Sequence, residues 1–200
     1  MHDFLGAEIK APLEVRLHIG NNGVSNAAFY HKDIIYLGTG DGEIYRDIPR
    51  DPSVVIHESM HALIDAYSGL PSEGEGGAFN EGFADFFTAL VLKNPHMADS
   101  SYLKGPYRRT LTNDLKAYRD FSEGTYKSGS IIAGTFWDMR SFLDDQKLAK
   151  LAFHVLTRLG SGARFDEFAP SVTLAAAELL TAEEARNVEA ALGARGWLGR

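Results

Sequence analysis

The run H-E-S-M-H at residues 57–61 places two imidazoles and a carboxylate within about one turn of a predicted helix. Two histidines four residues apart lie on the same helical face, so His57 and His61 can bind one metal ion. Glu58 can face the same ion without binding it. The run therefore predicts a metal site with hydrolytic chemistry, although a polar stripe on a core helix would use the same residues.

A third ligand is expected, because a catalytic zinc ion usually has three protein ligands and one position open to water. The chain has no cysteine, so any metal must be held by His, Asp or Glu. A second predicted helix carries the run N-E-G-F-A-D at residues 80–85, in which Glu81 can be the third ligand. Asp85 lies one turn further on the same face and, with Asn80, is predicted to orient the ligand side chains. We therefore predict one Zn²⁺ per chain, bound by the two histidines and Glu81.

Two predicted helices position these groups. Asp51 and Pro52 are typical of an N-cap and a first helical position, and Gly69 is typical of a C-cap, so the first helix should cover residues 52–68. A glycine-rich linker at residues 73–77 is expected before the second helix, at 78–93. Further helices are predicted at residues 128–142, 147–159, 165–180 and 181–192.

Before the first helix, the sequence predicts three short strands at residues 13–19, 27–30 and 34–37. The run G-T-G-D-G at residues 38–42 is interpreted as a turn; a cation loop is the weaker interpretation, so Ca²⁺ stays open without other support. We predict an α+β fold with a small, mostly antiparallel N-terminal sheet, the active-site helix and a helical C-terminal lobe. Residues 1–200 are expected to form a single domain, with the sheet-bearing lobe at 1–70 and the helical lobe at 71–200.

Composition narrows the class of protein. The 200 residues are 44% hydrophobic and 24% charged, as in ordinary globular proteins, and the net charge of −7 argues against a nucleic-acid partner. No stretch approaches the roughly 20 apolar residues of a membrane span. Residues 1–6 lack the features of a signal peptide, so we expect either a cytoplasmic protein or a mature form without its leader. The sequence does not indicate an oligomeric state.

Taken together, these motifs resemble those of the gluzincin metallopeptidases, most closely the thermolysin-like ones with some fungalysin-like features. Nineteen residues separate His61 from Glu81, which is the thermolysin-like interval. The aminopeptidase branch places the glutamate one residue closer and carries a G-x-M-E-N string that is absent here. The resemblance implies a zincin-like fold in a minimal catalytic domain, and a zinc-dependent endopeptidase acting on peptide or protein substrates. It also favours a secreted or extracytoplasmic location.

The resemblance implies further roles for individual residues. Glu58 would be the catalytic base. The run N-A-A-F-Y at residues 26–30 is similar to the family's substrate-binding edge strand, which implicates Asn26 and Ala27. Arg109 matches an arginine that binds a substrate carbonyl, with Arg108 as the alternative if the alignment shifts by one residue. Tyr126 occupies the place of a family histidine, and its hydroxyl could donate a hydrogen bond to the oxyanion.

Two alternatives stay open. The replaced histidine and the small N-terminal lobe are also compatible with a zinc-binding module that binds extended peptides without cleaving them. An exopeptidase, or a hydrolase of non-peptide amides, would use the same metal site but would trim only the ends of a peptide.

Overall fold

The computed structural model describes residues 13–122 and 124–199. Residues 1–6, which we interpreted as lacking a signal peptide, lie outside these ranges. The strands are β1 (Glu14–Leu17), β2 (Ala28–His31), β3 (Ile34–Leu37), β4 (His96–Met97) and β5 (Arg109–Thr110). The helices are α1 (Pro52–Tyr67), α2 (Gly74–Leu92), α3 (Ala117–Asp120), α4 (Thr125–Asp138), α5 (Asp145–Arg158), α6 (Phe168–Leu179) and α7 (Ala182–Ala194). The predicted α+β fold is therefore confirmed.

The first three strands form one sheet in the order β1-β3-β2. A two-residue turn joins β2 to β3, and its residues Lys32 and Asp33 both have positive φ, which matches the right-handed twist of an antiparallel hairpin. The third strand inserts between the first two, so β1 pairs with β3 in parallel and the sheet is mixed. Strand β2 is left at an edge of the sheet.

The start of α1 is fixed by a buried cap. The Asp51 side chain accepts a hydrogen bond from the backbone N–H of Ser53 at 3.0 Å, and Pro52 needs no such bond. The other oxygen of Asp51 accepts the N–H groups of Ser100 and Ser101 at 3.2 and 2.9 Å. The first turn of α1 is thus tied to the loop that follows β4.

The expected linker at residues 73–77 is instead the first turn of α2, which begins at Gly74. The glycines there serve close packing rather than flexibility. A Cβ atom added to Gly76 would lie 2.5 Å from Pro71, and one added to Gly77 would lie 2.6 Å from the carbonyl oxygen of Ser72. Glycine lets the chain fold back onto the start of α2, which the composition alone does not reveal.

Helix α1 lies between two hydrophobic cores. The larger core is helical and contains Met60, Leu63 and Ile64 of α1. It is dominated by buried aromatic rings, namely Phe79, Phe83, Phe86 and Phe87 of α2 with Phe136 and Phe168. The smaller core, under the sheet, has Ile35, Leu37 and Ile48 packed against Val54 and Val55 of α1. Within the described ranges, no helix combines the length and the apolar character needed to cross a membrane.

Helices α2 and α4 approach most closely beside Glu81. A Cβ atom on Gly82 would lie 2.8 Å from both the Gly129 carbonyl oxygen and the Ile132 Cβ atom. Conversely, a Cβ atom on Gly129 would lie 3.1 Å from that of Glu81. The spacing of these two helices, and with it the position of Glu81, therefore depends on two glycines.

We expect Gly82→Ala to lower the free energy of unfolding by about 1–3 kcal/mol, because the added methyl group overpacks a backbone contact that cannot yield. Chemical denaturation would measure the change. Gly160→Ala is the matched control, since no atom lies within 4 Å of a Cβ atom at that position. Equal stabilities for the two variants would show that the helices tolerate a wider spacing.

Candidate metal centre and cleft

Three side chains from α1 and α2 converge on one point. His57, His61 and Glu81 each offer a ligand atom, and these atoms all lie within 4.8 Å of one another. The Nε2 atoms of the two histidines are 3.0 Å apart, and Glu81 Oε2 lies 3.2 Å from Nε2 of His57. The helical spacing of the histidines and the packing of α2 on α1 produce this convergence.

Asn80 fixes the orientation of the His61 ring. Its amide nitrogen donates to the carbonyl oxygens of Leu70 and Pro71 at 3.0 and 3.3 Å, which assigns the amide oxygen to the opposite side. That oxygen lies 2.7 Å from Nδ1 of His61. An amide oxygen can only accept, so Nδ1 carries the proton and Nε2 presents a lone pair to the centre.

Asp85 has the corresponding position behind His57. Its Oδ1 atom lies 2.8 Å from Nδ1 of His57. The same carboxylate receives two hydrogen bonds from the Arg109 guanidinium, at 2.6 and 2.7 Å. Asp85 is 2% exposed, so this bidentate pair is largely shielded from water. A carboxylate behind the ring favours a proton on Nδ1 and leaves Nε2 free to bind a metal.

This donor set fits a metal cation. Both Nε2 lone pairs point at the same small space, an arrangement that is unfavourable unless a cation or a proton lies between them. Two nitrogens on one tetrahedral zinc ion, each about 2.0–2.1 Å from it, are about 3.3 Å apart. Glu81 Oε2 is buried and accepts no hydrogen bond from the described residues. A bound cation would satisfy all three atoms.

Burial and the charged groups around the centre shift the pKa values of the two histidines in opposite directions. Although burial opposes it, the carboxylates of Asp85 and Glu81 raise the pKa of His57 above its ordinary value. Burial and the neighbouring His57 cation lower the pKa of His61 to about 4. Without metal, the pair therefore carries a single positive charge, on His57. The two histidines do not both become charged at neutral pH.

Glu58 faces the cleft beside the ligands and is 6% exposed. Burial raises the pKa of its carboxyl, and the nearby charge of His57 works in the opposite direction. The backbone N–H of Tyr30, in β2, donates a hydrogen bond to the carboxylate. A raised pKa brings the carboxylate closer to the range in which it can both take up and release a proton.

A cleft of about 330 Å³ opens over the centre. Its lining includes Asn26 and Ala28 on one side, Val54, His57 and Glu58 of α1, and Met97, Arg108, Arg109, Tyr126, Lys127 and Ser130 on the other. The Arg109 guanidinium lies 5.0 Å from the centroid of the Tyr126 ring. Arg108 instead lies over the ring of Tyr102, at 5.7 Å. Of the two arginines, Arg109 is therefore the one joined to the metal centre.

Tyr126 lies at the rim of the cleft and is 57% exposed. The negative charge of Glu81 raises the pKa of its phenol, and burial adds to the shift. The hydroxyl therefore stays protonated at neutral pH and remains a hydrogen-bond donor.

The structure gives Asn26 and Ala27 different tasks from those predicted. The Asn26 amide bonds the side chain and backbone N–H of Asp41, at 2.7 and 3.0 Å, and so holds the glycine-rich loop. The Ala27 carbonyl accepts from Gly38, and its N–H donates to Ser25. Because alternate residues of a strand direct their backbone groups to the same side, those of Ala28 and Tyr30 face the free edge of β2. The backbone groups at the free edge of β2 thus belong to Ala28 rather than to the predicted Ala27.

The residues Ala28, Tyr30 and Lys127 were not among the predicted site residues. The alternation of backbone groups along β2 depends on its register with β3, which includes the pair Ala28↔Leu37. Helix α4 begins at Thr125, so Tyr126 and Lys127 both lie in its first turn. The predicted helix began at residue 128, and the sequence therefore did not place Lys127 beside the cleft.

Comparisons with known proteins agree with this geometry. Over 81 residues the chain is 36% identical to bacillolysin of Bacillus cereus and to thermolysin of Alicyclobacillus acidocaldarius. Over 78 residues it is 37% identical to a zinc metalloproteinase of Listeria monocytogenes. These segments cover 39–40% of the chain but only 14–15% of each relative. No family model matches the sequence.

The fold has a solved counterpart. The precursor of protealysin, a metalloproteinase from Serratia proteamaculans, superposes with a TM-score of 0.83. The superposition covers 94% of this chain and 69% of that one, at 22% sequence identity. At this identity the match establishes the shared fold alone.

Proposed function

We propose that this chain, a relative of the thermolysin-like zinc metallopeptidases, is a zinc-dependent endopeptidase. The observation that carries the proposal is the pair of histidines whose outer nitrogens face Asp85 and Asn80, so that both inner nitrogens face Glu81. We further propose that His57, His61 and Glu81 hold one zinc ion. The chain covers a small part of its relatives' length, so their activity does not transfer to it automatically.

A bound zinc ion would act as a Lewis acid, lowering the pKa of a water molecule to about 7 and polarising the substrate carbonyl. The residues of the chain perform the remaining tasks. Glu58 is proposed to take a proton from the attacking water and to pass it to the leaving nitrogen. Its burial and its hydrogen bond from Tyr30 hold the carboxylate at the cleft floor.

The substrate would lie as an additional strand along the free edge of β2. The backbone groups of Ala28 are available to pair with it. Arg109 is proposed to bind a carbonyl on the leaving side, and its pairing with Asp85 keeps the guanidinium fixed. Tyr126 is proposed to donate its hydroxyl to the developing oxyanion.

The domain organisation, substrate class and location are proposed from the similarity of the chain to the thermolysin-like metallopeptidases. We propose that the chain is one catalytic domain that acts on unfolded protein or peptide segments, with an extracytoplasmic location as in the sequence-based expectation. Calcium has no supporting observation in the described residues. No second function is favoured by a specific contact.

Metal removal tests the function directly. The purified protein should contain about one zinc per chain by elemental analysis, and should cleave unfolded casein at internal bonds visible by mass spectrometry. A chelator should abolish cleavage, and added zinc should restore it. Zinc-loaded protein that is inert toward a broad peptide library would instead identify a binding module, and purely terminal trimming would identify an exopeptidase.

Tyr126→Phe tests the proposed oxyanion donor. We expect kcat to fall about 10²–10³-fold, because one hydrogen bond to the oxyanion is lost. Zinc content should not change, since Tyr126 is not among the ligands. Tyr102→Phe is the control, because that ring contacts Arg108 rather than Arg109. A Tyr126→Phe enzyme with unchanged kcat would restrict Tyr126 to packing against Arg109.

A further inference from the structure

We propose that the cleft recognises a carboxylate on the leaving side of the substrate, supplied either by an Asp or Glu side chain or by the free C-terminus of a peptide. This inference rests on the proposed function and names its substrate class. The relevant residues are Arg108 and Lys127, which both line the cleft.

These two cations are free to bind a ligand. Arg109, which also lines the cleft, is neutralised by the buried Asp85 carboxylate. Arg108 and Lys127 make no ion pair in the part of the chain that the structure describes. The ring of Tyr102 contacts Arg108 but carries no charge that would neutralise it. Two positively charged side chains that have no ion pair among the described residues therefore line the same groove.

The cations that line the cleft contrast with the negative net charge of the chain. The chain as a whole carries a net charge of −7, yet among the described residues that line the cleft three are Arg or Lys and one, Glu58, is a carboxylate. Asp120 is the carboxylate whose pKa responds to Lys127, and Arg119 already binds it at 2.7 Å. Arg and Lys side chains that line a cleft attract anionic segments and repel cationic ones.

Arg108 and Lys127 are the sequence neighbours of Arg109 and Tyr126, two residues that contact each other. The backbone N–H of Arg108 donates to the carbonyl oxygen of Met97 at 2.9 Å, which fixes it beside the ladder of β4 and β5. Lys127 follows Tyr126 in the first turn of α4. Arg109 contacts Tyr126, and their sequence neighbours Arg108 and Lys127 both line the same cleft. The proposed role of Arg109 assigns the part of the cleft beside it to the leaving side.

The first arm of the test compares matched peptides. One bond found in the casein digest is placed in synthetic peptides with Glu, Gln or Lys at each of the two following positions, and with a free or an amidated C-terminus. We expect kcat/KM to be about tenfold higher for Glu than for Gln at low ionic strength, and lowest for Lys. The preference should shrink at 0.5 M salt (about 4 Å screening length). If only the free C-terminus gives the advantage, the carboxylate source is the peptide end.

The second arm uses variants and a binding measurement. Arg108→Gln combined with Lys127→Gln should reduce the Glu-to-Gln ratio to about one, whereas Lys150→Gln, on the distant α5, should leave it unchanged. Fluorescence anisotropy with the Glu58→Gln protein should show the same order of affinities without any cleavage. Equal affinities and rates for the Glu and Gln peptides and for both peptide termini would overturn the inference, even if cleavage itself is intact. Absence of all cleavage with a retained binding preference would overturn only the proposed function.

Discussion

Glu58→Gln is expected to reduce kcat for peptide hydrolysis by about 10²–10⁴-fold, because an amide cannot accept the proton of the attacking water. The zinc content should stay at one per chain, since Glu58 faces the ligands without being one of them. Stability should not fall. The carboxylate is buried and its pKa is raised, so a neutral amide of the same shape avoids the cost of burying a charge.

Three measurements on one preparation separate these effects, namely elemental analysis, denaturation and casein hydrolysis. Glu189→Gln provides the control, since that glutamate is exposed on α7 and remote from the cleft. Glu58→Gln protein with full activity would exclude Glu58 as the base. Loss of zinc together with activity would instead place Glu58 among the ligands.

The second large effect is expected for Asp85→Asn. The affinity for zinc should fall about 10–100-fold, because the amide orients His57 less strongly and no longer raises the basicity of its ring. The free energy of unfolding should fall by about 3 kcal/mol, since the Arg109 guanidinium loses its buried counter-charge. Competition with a chromophoric chelator and chemical denaturation of the metal-free protein would measure the two changes separately.

A double-mutant cycle identifies the origin of the instability. Arg109→Gln in the Asp85→Asn background should recover part of the lost stability, because the unpaired charge is removed. Glu178→Gln, which breaks exposed pairs with His154 and Arg158, should cost less than about 1 kcal/mol. Additive effects of the two central substitutions would mean that Asp85 and Arg109 stabilise the fold independently.

Much of the fold follows from local signals. Asp51 and Pro52 predicted the start of α1, and the helix predicted from residue 181 begins at a capping box of Thr181 and Glu184, because both signals are made within one helical turn. The parallel pairing of β1 with β3 is not local. It depends on the third strand inserting between the first two, which alternating hydrophobicity does not encode. The helical start of α2 was hidden because its glycines are explained only by the neighbouring backbone.

The candidate site also has a part that could be predicted from the sequence and a part that could not. Convergence of the two histidines with Glu81 could be predicted, since spacing on α1 determines two ligands and the adjoining helix carries the third. The contacts of Arg108 and Arg109 could not, because they depend on long-range packing: Arg109 pairs with Asp85 of α2, and Arg108 lies over the ring of Tyr102. The same limit explains the shift from Ala27 to Ala28. A one-residue change in register exchanges the backbone groups that face the free edge.

Helix α1 lies between a large and a small hydrophobic core, so the two halves of the cleft differ in local stability. The metal ligands belong to α1 and α2, which are anchored in the large aromatic core, whereas the edge of β2 rests on a core of three buried residues. Local opening of the sheet therefore needs less free energy than opening of the helices. The free edge of β2 can therefore open transiently while His57, His61 and Glu81 stay assembled. Amide hydrogens of β2 should then exchange with solvent well before those of α2.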